Sequence, residues 1–280
     1  MVDLLKSASA DLNAPSFTGL ASSDAMAINY DGRFVAYSNS SGVFVSNDFG
    51  ATWTKTLNIS TAFLTVAMSS SGQYMVAGGT ASWDGQTNNQ VGTRLYYSSD
   101  YGATWIERLN SGVRTWRRLD ISDNGTKIVA TIDAIKQLDS QQFTEKYING
   151  YIAFSSNSGN TFSDVFQFPT SYTGGFLDDF EGLDLVNDGS AIFVGSRNAG
   201  IFKSSDNGAT WTLVLSQLFA EVRASADGSI IYASGTFDFM SQPVLKSTDG
   251  GSTWSASIDV DTTLQYSTIR PDHIAISANG

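Results

Sequence analysis

The chain has no cysteine, one histidine (His273) and four prolines in 280 residues. Without cysteine it forms no disulfide, offers no thiolate nucleophile and builds no thiolate metal site. A single histidine leaves multi-histidine metal centres and Ser-His-Asp triads out of the reading. Charged residues are scarce at 15%, and 27 acidic against 16 basic side chains give a formal net charge of −11. That balance repels nucleic acid and anionic membrane surfaces, so neither is expected as a partner. No apolar run approaches the roughly 20 residues of a bilayer-spanning helix, which argues against membrane insertion. Residues 1–13 lack the basic start and apolar stretch of a secretory signal. An extracellular address fits a parent protein of which this chain is an internal part. No phosphate-cradling glycine loop appears, and neither a cofactor nor a metal is expected.

What the chain does have is glycine, 26 residues, much of it in a recurring phrase. The phrase reads S-N-D-F-G-A-T-W (46–53), S-S-D-Y-G-A-T-W (98–105), S-S-N-S-G-N-T-F (155–162), S-S-D-N-G-A-T-W (204–211) and S-T-D-G-G-S-T-W (247–254). The starts lie 52, 57, 49 and 43 residues apart, the mark of a repeat architecture. Each copy follows a strand-like run (43–45, 95–97, 152–154, 201–203, 244–246) and leads into another, so this box is a hairpin turn. Asp48, Asp100, Asp206 and Asp249 can accept backbone N–H bonds just downstream, closing an Asx-type turn. Gly50, Gly102, Gly159, Gly208 and Gly251 supply a positive φ that other residues adopt at a cost. Trp53, Trp105, Trp211 and Trp254 are large apolar plugs, expected between neighbouring sheets. The third box carries Asn157 for Asp and Phe162 for Trp, which predicts a looser turn there.

A companion pattern precedes each box: an apolar strand, a short turn at Asp31-Gly32, Ser71-Gly72, Asn124-Gly125, Asp188-Gly189 or Asp227-Gly228, then a second strand. One unit is thus strand A, tight turn, strand B, variable connection, strand C, box, strand D. Four antiparallel strands repeated radially describe a propeller blade. The strands read as nearly continuous apolar or small runs, as sheets covered on both faces do. Sustained helical periodicity is missing, although 133–146 has room for a short helix. Residues 273–280 repeat strand A and its turn, a sixth time. The fold class is therefore all-β: a β-propeller of four-stranded antiparallel blades, five evident plus the first strand of a sixth. Residues 1–21, with one weak strand at 16–20, form a lead segment and 22–280 the propeller. Membership in a longer ring of six or seven blades is the preferred account of the extra strand. A five-bladed ring and closure between chains are the alternatives, and the oligomeric state stays open.

The box resembles the Asp-box (BNR) repeat, S-x-D-x-G-x-T-W, of sialidase-like β-propellers. In style the sequence is similar to Asp-box repeat proteins of environmental microbes and large viruses. The resemblance implies the propeller fold but no single activity, because hydrolases, lectins and assembly factors share the box. It implies for sialidases an Arg-Ile-Pro-like motif on the first inner strand, two further arginines, a Tyr–Glu nucleophile pair and an acidic Asp. Before Ser46 this chain offers only Arg33, and Ile269-Arg270-Pro271 lies at the wrong end, so those roles do not transfer. Other Asp-box hydrolases implied by the resemblance attack plant glucans with paired Asp residues in a cleft between two propellers. Assembly factors of photosystems display an arginine patch, which Arg114, Arg117 and Arg118 echo.

Connection lengths say where a ligand would bind. The A–B turns and boxes lie on one rim and are nearly constant, whereas the B–C insertions (78–92, 131–150, 234–242) and D–A insertions (109–118, 166–182, 258–272) lie on the other. Loops on a rigid scaffold are the usual carriers of binding residues. Trp83 and Asp84, with Asn88 and Asn89, suit stacking on a sugar ring while bonding its hydroxyls; a self-packed loop explains them equally. Arg114, Trp116, Arg117 and Arg118, with Arg197 and Arg223 on other blades, suit carboxylate or sulfate ligands, against plain ion pairing. Asp178, Asp179, Glu181 and Asp184 beside Tyr172 suit an acid/base pair, against an ordinary solvated acidic loop. The expected function is a noncatalytic binding or interaction propeller with a glycan or protein ligand on the decorated rim. The alternative is a glycoside hydrolase, or a fragment of one, using the 178–184 carboxylates.

Overall fold

The computed structural model describes residues 25–59, 63–80, 92–132, 135–139, 144–148, 150–167, 180–196, 199–216, 221–235 and 244–258. The predicted sixth inner strand at 273–280 and the weak strand at 16–20 lie outside them. The first sheet holds β1 (Ala25–Ile28), β2 (Val35–Asn39), β3 (Gly42–Ser46) and β4 (Thr54–Asn58). The second holds β5 (Phe63–Met68), β6 (Met75–Thr80), β7 (Leu95–Ser98) and β8 (Ile106–Arg108). In the third, β9 (Trp116–Ile121) and β10 (Ile128–Ile132) are followed by a separate hairpin, β11 (Ile135–Asp139) and β12 (Thr144–Ile148), before β13 (Tyr151–Ser155) and β14 (Ser163–Gln167). The fourth holds β15 (Phe180–Leu185), β16 (Ile192–Ser196), β17 (Gly200–Ser204) and β18 (Thr212–Leu215). The fifth holds β19 (Glu221–Ala224), β20 (Ile231–Ser234), β21 (Val244–Ser247) and β22 (Ser255–Ile258). Every sheet is an antiparallel meander in chain order, as predicted. The helix expected within 133–146 is instead the β11–β12 hairpin, whose strands pair from Ile135 with Ile148 to Asp139 with Thr144.

The sheets stack through four apolar layers. Ala36, Val43 and Val45 meet Leu64, Val66 and Met75; Val76, Leu95 and Tyr97 meet Trp116, Leu119 and Ile128. Val129, Ile152 and Phe154 meet Leu183, Ile192 and Val194; Phe193, Ile201 and Leu215 meet Val222, Ile231 and Leu245. Along β10, Ile128 and Ala130 face the second sheet and Val129 the fourth, so alternate residues serve opposite layers. That is why the strands read as unbroken apolar runs. The inner strand of each sheet packs against the first two strands of the sheet before it: β5 on β1 and β2, β9 on β5 and β6, β15 on β9 and β10, β19 on β15 and β16. On the first sheet the corresponding face bears Met26 and Ile28, 51% and 54% exposed. The counterparts of Met26, which are Val66, Leu119, Leu183 and Val222, are no more than 9% exposed.

The boxes form as expected, with one rule the sequence did not show. Asp48 accepts the Thr52 N–H at 2.8 Å and the Thr52 hydroxyl at 2.5 Å, and Asp100, Asp206 and Asp249 repeat the pattern. The box serines are buried: Ser46 donates to Asp48 at 2.7 Å and accepts the Gly50 N–H at 2.8 Å. Asn157 closes the third turn with slightly longer bonds than the rest, accepting the Thr161 N–H at 3.0 Å and donating to the Thr161 hydroxyl at 2.8 Å. The turn keeps the same connectivity but is looser, as expected, because an amide supplies one acceptor, reverses one donor and carries no charge. The residue before each box glycine is left-handed too: Phe49, Tyr101, Ser158 and Asn207 have φ of 62°, 63°, 57° and 61°. This aims N–H groups at the A–B turn of the same sheet, Phe49 to Arg33 O at 3.1 Å and Tyr101 to Gln73 O at 3.0 Å.

The tryptophans wedge between sheets. The indole N–H groups of Trp105, Trp211 and Trp254 donate to Thr56 Oγ1, Val165 O and Val214 O on the last strand of the preceding sheet. Phe162 fills its place by packing on Trp116, ring centroids 5.1 Å apart.

Candidate functional site

The two ends of the stack differ. At the turn end, the sheets are laced together through equivalent positions of their A–B turns. Tyr30 N–H donates to Ser70 O at 2.8 Å, Ser70 N–H to Asp123 Oδ1 at 3.0 Å, Asp123 N–H to Asn187 O at 2.7 Å and Asn187 N–H to Ala226 O at 3.3 Å. The opposite end gathers the B–C and D–A connections. Of the candidates named from the sequence, Trp83, Asp84, Asn88, Asn89, Tyr172, Asp178, Asp179 and Arg197 lie outside the described residues. Glu181 falls on β15.

The arginine group does not assemble as one cluster. A β-bulge at Arg117, opposite the Thr131/Ile132 step, lets Trp116 pack toward the second sheet while Arg118 reaches Glu221 on β19. Trp116 is 1% exposed, and its indole N–H donates to Thr93 O at 2.7 Å. Its surface is spent on packing, which leaves no open ring face for a ligand. Arg114 bridges β13 and β14: its Nη1 donates to Tyr151 Oη at 2.9 Å and to Asp164 Oδ1 at 2.6 Å. Its guanidinium also lies 5.5 Å from the Tyr151 ring centre and 6.0 Å from that of Trp116. Backbone bonds both ways between Thr93 and Arg114 fix the D–A connection to the second sheet.

The inner strands carry a charged cluster that the sequence reading grouped only in part. An inner strand is the edge of its sheet, so its outward N–H groups need partners from elsewhere. Asp120 on β9 accepts the Leu185 N–H of β15 at 2.7 Å, and Asp184 on β15 accepts the Ala224 N–H of β19. The two carboxyl groups are close enough that the charge of Asp184 acts on Asp120. Glu221 is buried and pairs with Arg223 at 2.7 Å, with Arg118 at 4.0 Å. Arg223 donates onward to Leu183 O at 3.0 Å and Val222 O at 2.8 Å. Each aspartate residue keeps some accessible surface, yet the carboxyl groups themselves are surrounded by protein. Desolvation, followed by the charge of Asp184, pushes Asp120 up to about 8. Desolvation also raises Asp184, against the opposing pull of Arg223. Such a pair holds one proton between two acids. Chemically it is an acid/base couple, already committed to tying three inner strands together.

Fold and cluster define a β-propeller with a polar, partly titratable axis. No protein-family model and no curated protein matches the chain. Solved structures do. The Niastella koreensis GH74 enzyme superposes with a TM-score of 0.51 at 22% identity, over 84% of this chain and 31% of that one. The GH74 xyloglucanase from Xanthomonas campestris gives 0.54 at 13% identity, over 83% and 37%, and an ancestral GH74 enzyme 0.53 at 16%, over 82% and 30%. At these identities the likeness shows the β-propeller fold, and the chain spans about a third of those enzymes.

Proposed function

We propose that this chain is a propeller of the Asp-box, sialidase-like kind, comprising 22–280 after a lead segment, that binds a glycan or a protein without turning it over. The binding surface is the end where the B–C and D–A connections gather. The observation that supports this reading is the contrast between the ends. One end is laced by constant turns, whereas the connections between the second and third strands and between sheets vary in length and include the β11–β12 hairpin and the strapped Arg114 connection. Carboxylates suited to turnover are scarce among the described residues: Asp120, Asp184 and Glu221 are each engaged by backbone N–H or guanidinium groups. A glycan array read in parallel with a reducing-end assay tests it. Retention without hydrolysis is expected, weakened by Trp83→Ala or Arg197→Ala. Release of reducing ends that survives purification sinks the noncatalytic reading.

A glycoside hydrolase is the second reading, favoured by one observation: Asp184, at the end of the 178–184 stretch, is a desolvated carboxyl group on the inner strand next to that of Asp120. On that reading Asp179→Asn or Glu181→Gln abolishes hydrolysis while leaving the melting temperature unchanged.

A further inference from the structure

Each seam between sheets joins a receiving face to an entering strand. The fourth sheet shows a receiving face in full, since β15 and β16 take the inner strand of the fifth sheet. There Phe193 is fully buried and pairs with Lys203 on β17, whose ammonium lies 5.4 Å from its ring centre. The same Lys203 Nζ donates to Gly250 O, in the fifth box, at 2.8 Å. The fifth sheet repeats this construction. Tyr232 on β20 pairs with Lys246 on β21, whose ammonium lies 5.1 Å from its ring centre, and Val244 stands in the place of Ile201. Yet Tyr232 keeps part of its surface accessible, where Phe193 keeps none. An entering strand shows its apolar residues at two alternate positions. Leu119 and Ile121 hold them on β9, Leu183 and Leu185 on β15, all buried in their seams. On β1 the same two positions are Met26 and Ile28, more than half exposed. The stack therefore carries a receiving face on its fifth sheet and an uncovered entering strand on its first.

We propose that these two surfaces meet between copies of this chain, the first sheet of one copy packing head to tail on the fifth sheet of the next. The partner is a second copy because the contact continues between chains the seam that joins sheets within one. Met26 and Ile28 bring apolar surface from one side, Tyr232 and Val244 from the other, and burying it drives the association. Lys246 is set to donate to the carbonyl of Phe49, which holds in the first box the place of Gly250 in the fifth. Two different faces meet, so a pair keeps one free face of each kind and either closes into a ring of copies or grows. The net charge of −11 on each copy opposes the contact, and salt that screens this repulsion strengthens it. The contact is independent of the ligand proposed above.

Sedimentation velocity of the full chain over a concentration series, at low and at raised sodium chloride, tests this. The wild type self-associates, more strongly at the higher salt. Ile28→Glu on the entering strand and Tyr232→Glu on the receiving face each weaken association tenfold or more. Ile28 is already exposed, so its variant keeps the wild-type melting temperature; if Tyr232→Glu lowers that temperature, Lys246→Glu takes its place. The deciding sample is an equimolar mixture of the two variants. Each keeps the face that the other has lost, so the mixture forms a one-to-one pair and nothing larger. Wild type that sediments as a monomer at every concentration and salt overturns the proposal and assigns these faces to cover within the chain or to a different partner. Variants that associate as the wild type does overturn it, as does a mixture that stays monomeric. A mixture in which one variant pairs only with itself shows like faces meeting and overturns it too.

Discussion

Gly50 and Gly102 hold the same place in the box and nearly the same backbone, φ 84° and 77°, but they meet different neighbours. A Cβ on Gly50 would touch only the Trp53 ring, at 3.7 Å. On Gly102 it would come within 2.8 Å of Val45 Cγ2 and 2.9 Å of Met75 Sδ, inside the seam between the first two sheets. Gly50→Ala should therefore cost only the left-handed backbone penalty, about 1–2 kcal/mol. Gly102→Ala adds overpacking of about 1–3 kcal/mol. Urea denaturation of the two variants decides it, and equal losses would mean the seam relaxes freely. Asn157 supplies a second residue-scale expectation. Because an amide already closes one box, Asp100→Asn should lower the melting temperature less than Asp100→Ala, which removes the acceptor for Thr104 altogether. Equal drops would show that the charge, rather than the acceptor, holds the turn.

At the scale of strands and sheets, the box tryptophan joins one sheet to the last strand of the sheet before it. Trp105 donates to Gly102 O at 3.1 Å and to Thr56 Oγ1 at 3.0 Å. Trp105→Phe keeps the ring and loses these bonds, so it should cost about 1 kcal/mol. Trp105→Ala should cost about 3 kcal/mol, the low end for large aromatic truncations, since the residue is half-buried. Matching losses in thermal unfolding would mean that the hydrogen bonds, not the ring, carry the joint. Strand order, turn positions and the wedging of Trp105, Trp211 and Trp254 were legible because each repeats in the sequence with its own chemistry. The 133–146 helix was misread because apolar residues at Ile135 and Leu138 suit either period in so short a run. The axial cluster was harder, since Asp120 and Asp184 come together only when two sheets stack. The signal was nonetheless present: each Asp stands between buried apolar residues, Leu119 and Ile121 or Leu183 and Leu185, on an inner strand. The left-handed Phe49 and Tyr101 carry no such mark, because their backbone is set by bonds to Arg33 and Gln73 that the sequence does not pair.

For the molecule as a whole, the axial cluster links three sheets and sets how stability depends on pH. Arg118 and Arg223 face the three acids Asp120, Asp184 and Glu221, and burial raises both aspartates. Asp120 has an ordinary value of 3.8 and stands at about 8 in the folded chain. Between those values the native state holds a proton that the unfolded chain has released, so this pair makes stability fall as pH rises, by at most about 1.4 kcal/mol per pH unit. Asp48, Asp227 and Asp249 act in the opposite sense. Hydrogen bonds from Thr52, Ser229 and Thr253 lead the causes that hold them at about 2, so their contribution is present above 3.8 and is lost as pH falls toward 2. From these groups alone, stability is expected to be highest on the acid side of neutrality. Asp120→Asn keeps an oxygen for the Leu185 N–H, gives up the second oxygen that accepts the Ile121 N–H, and cannot titrate, so it should lower stability but flatten the decline between pH 5 and 8. Urea midpoints at pH 5, 6, 7 and 8 for both proteins measure this directly. An Asn variant that declines as steeply as the wild type would move the titrating proton away from the propeller axis.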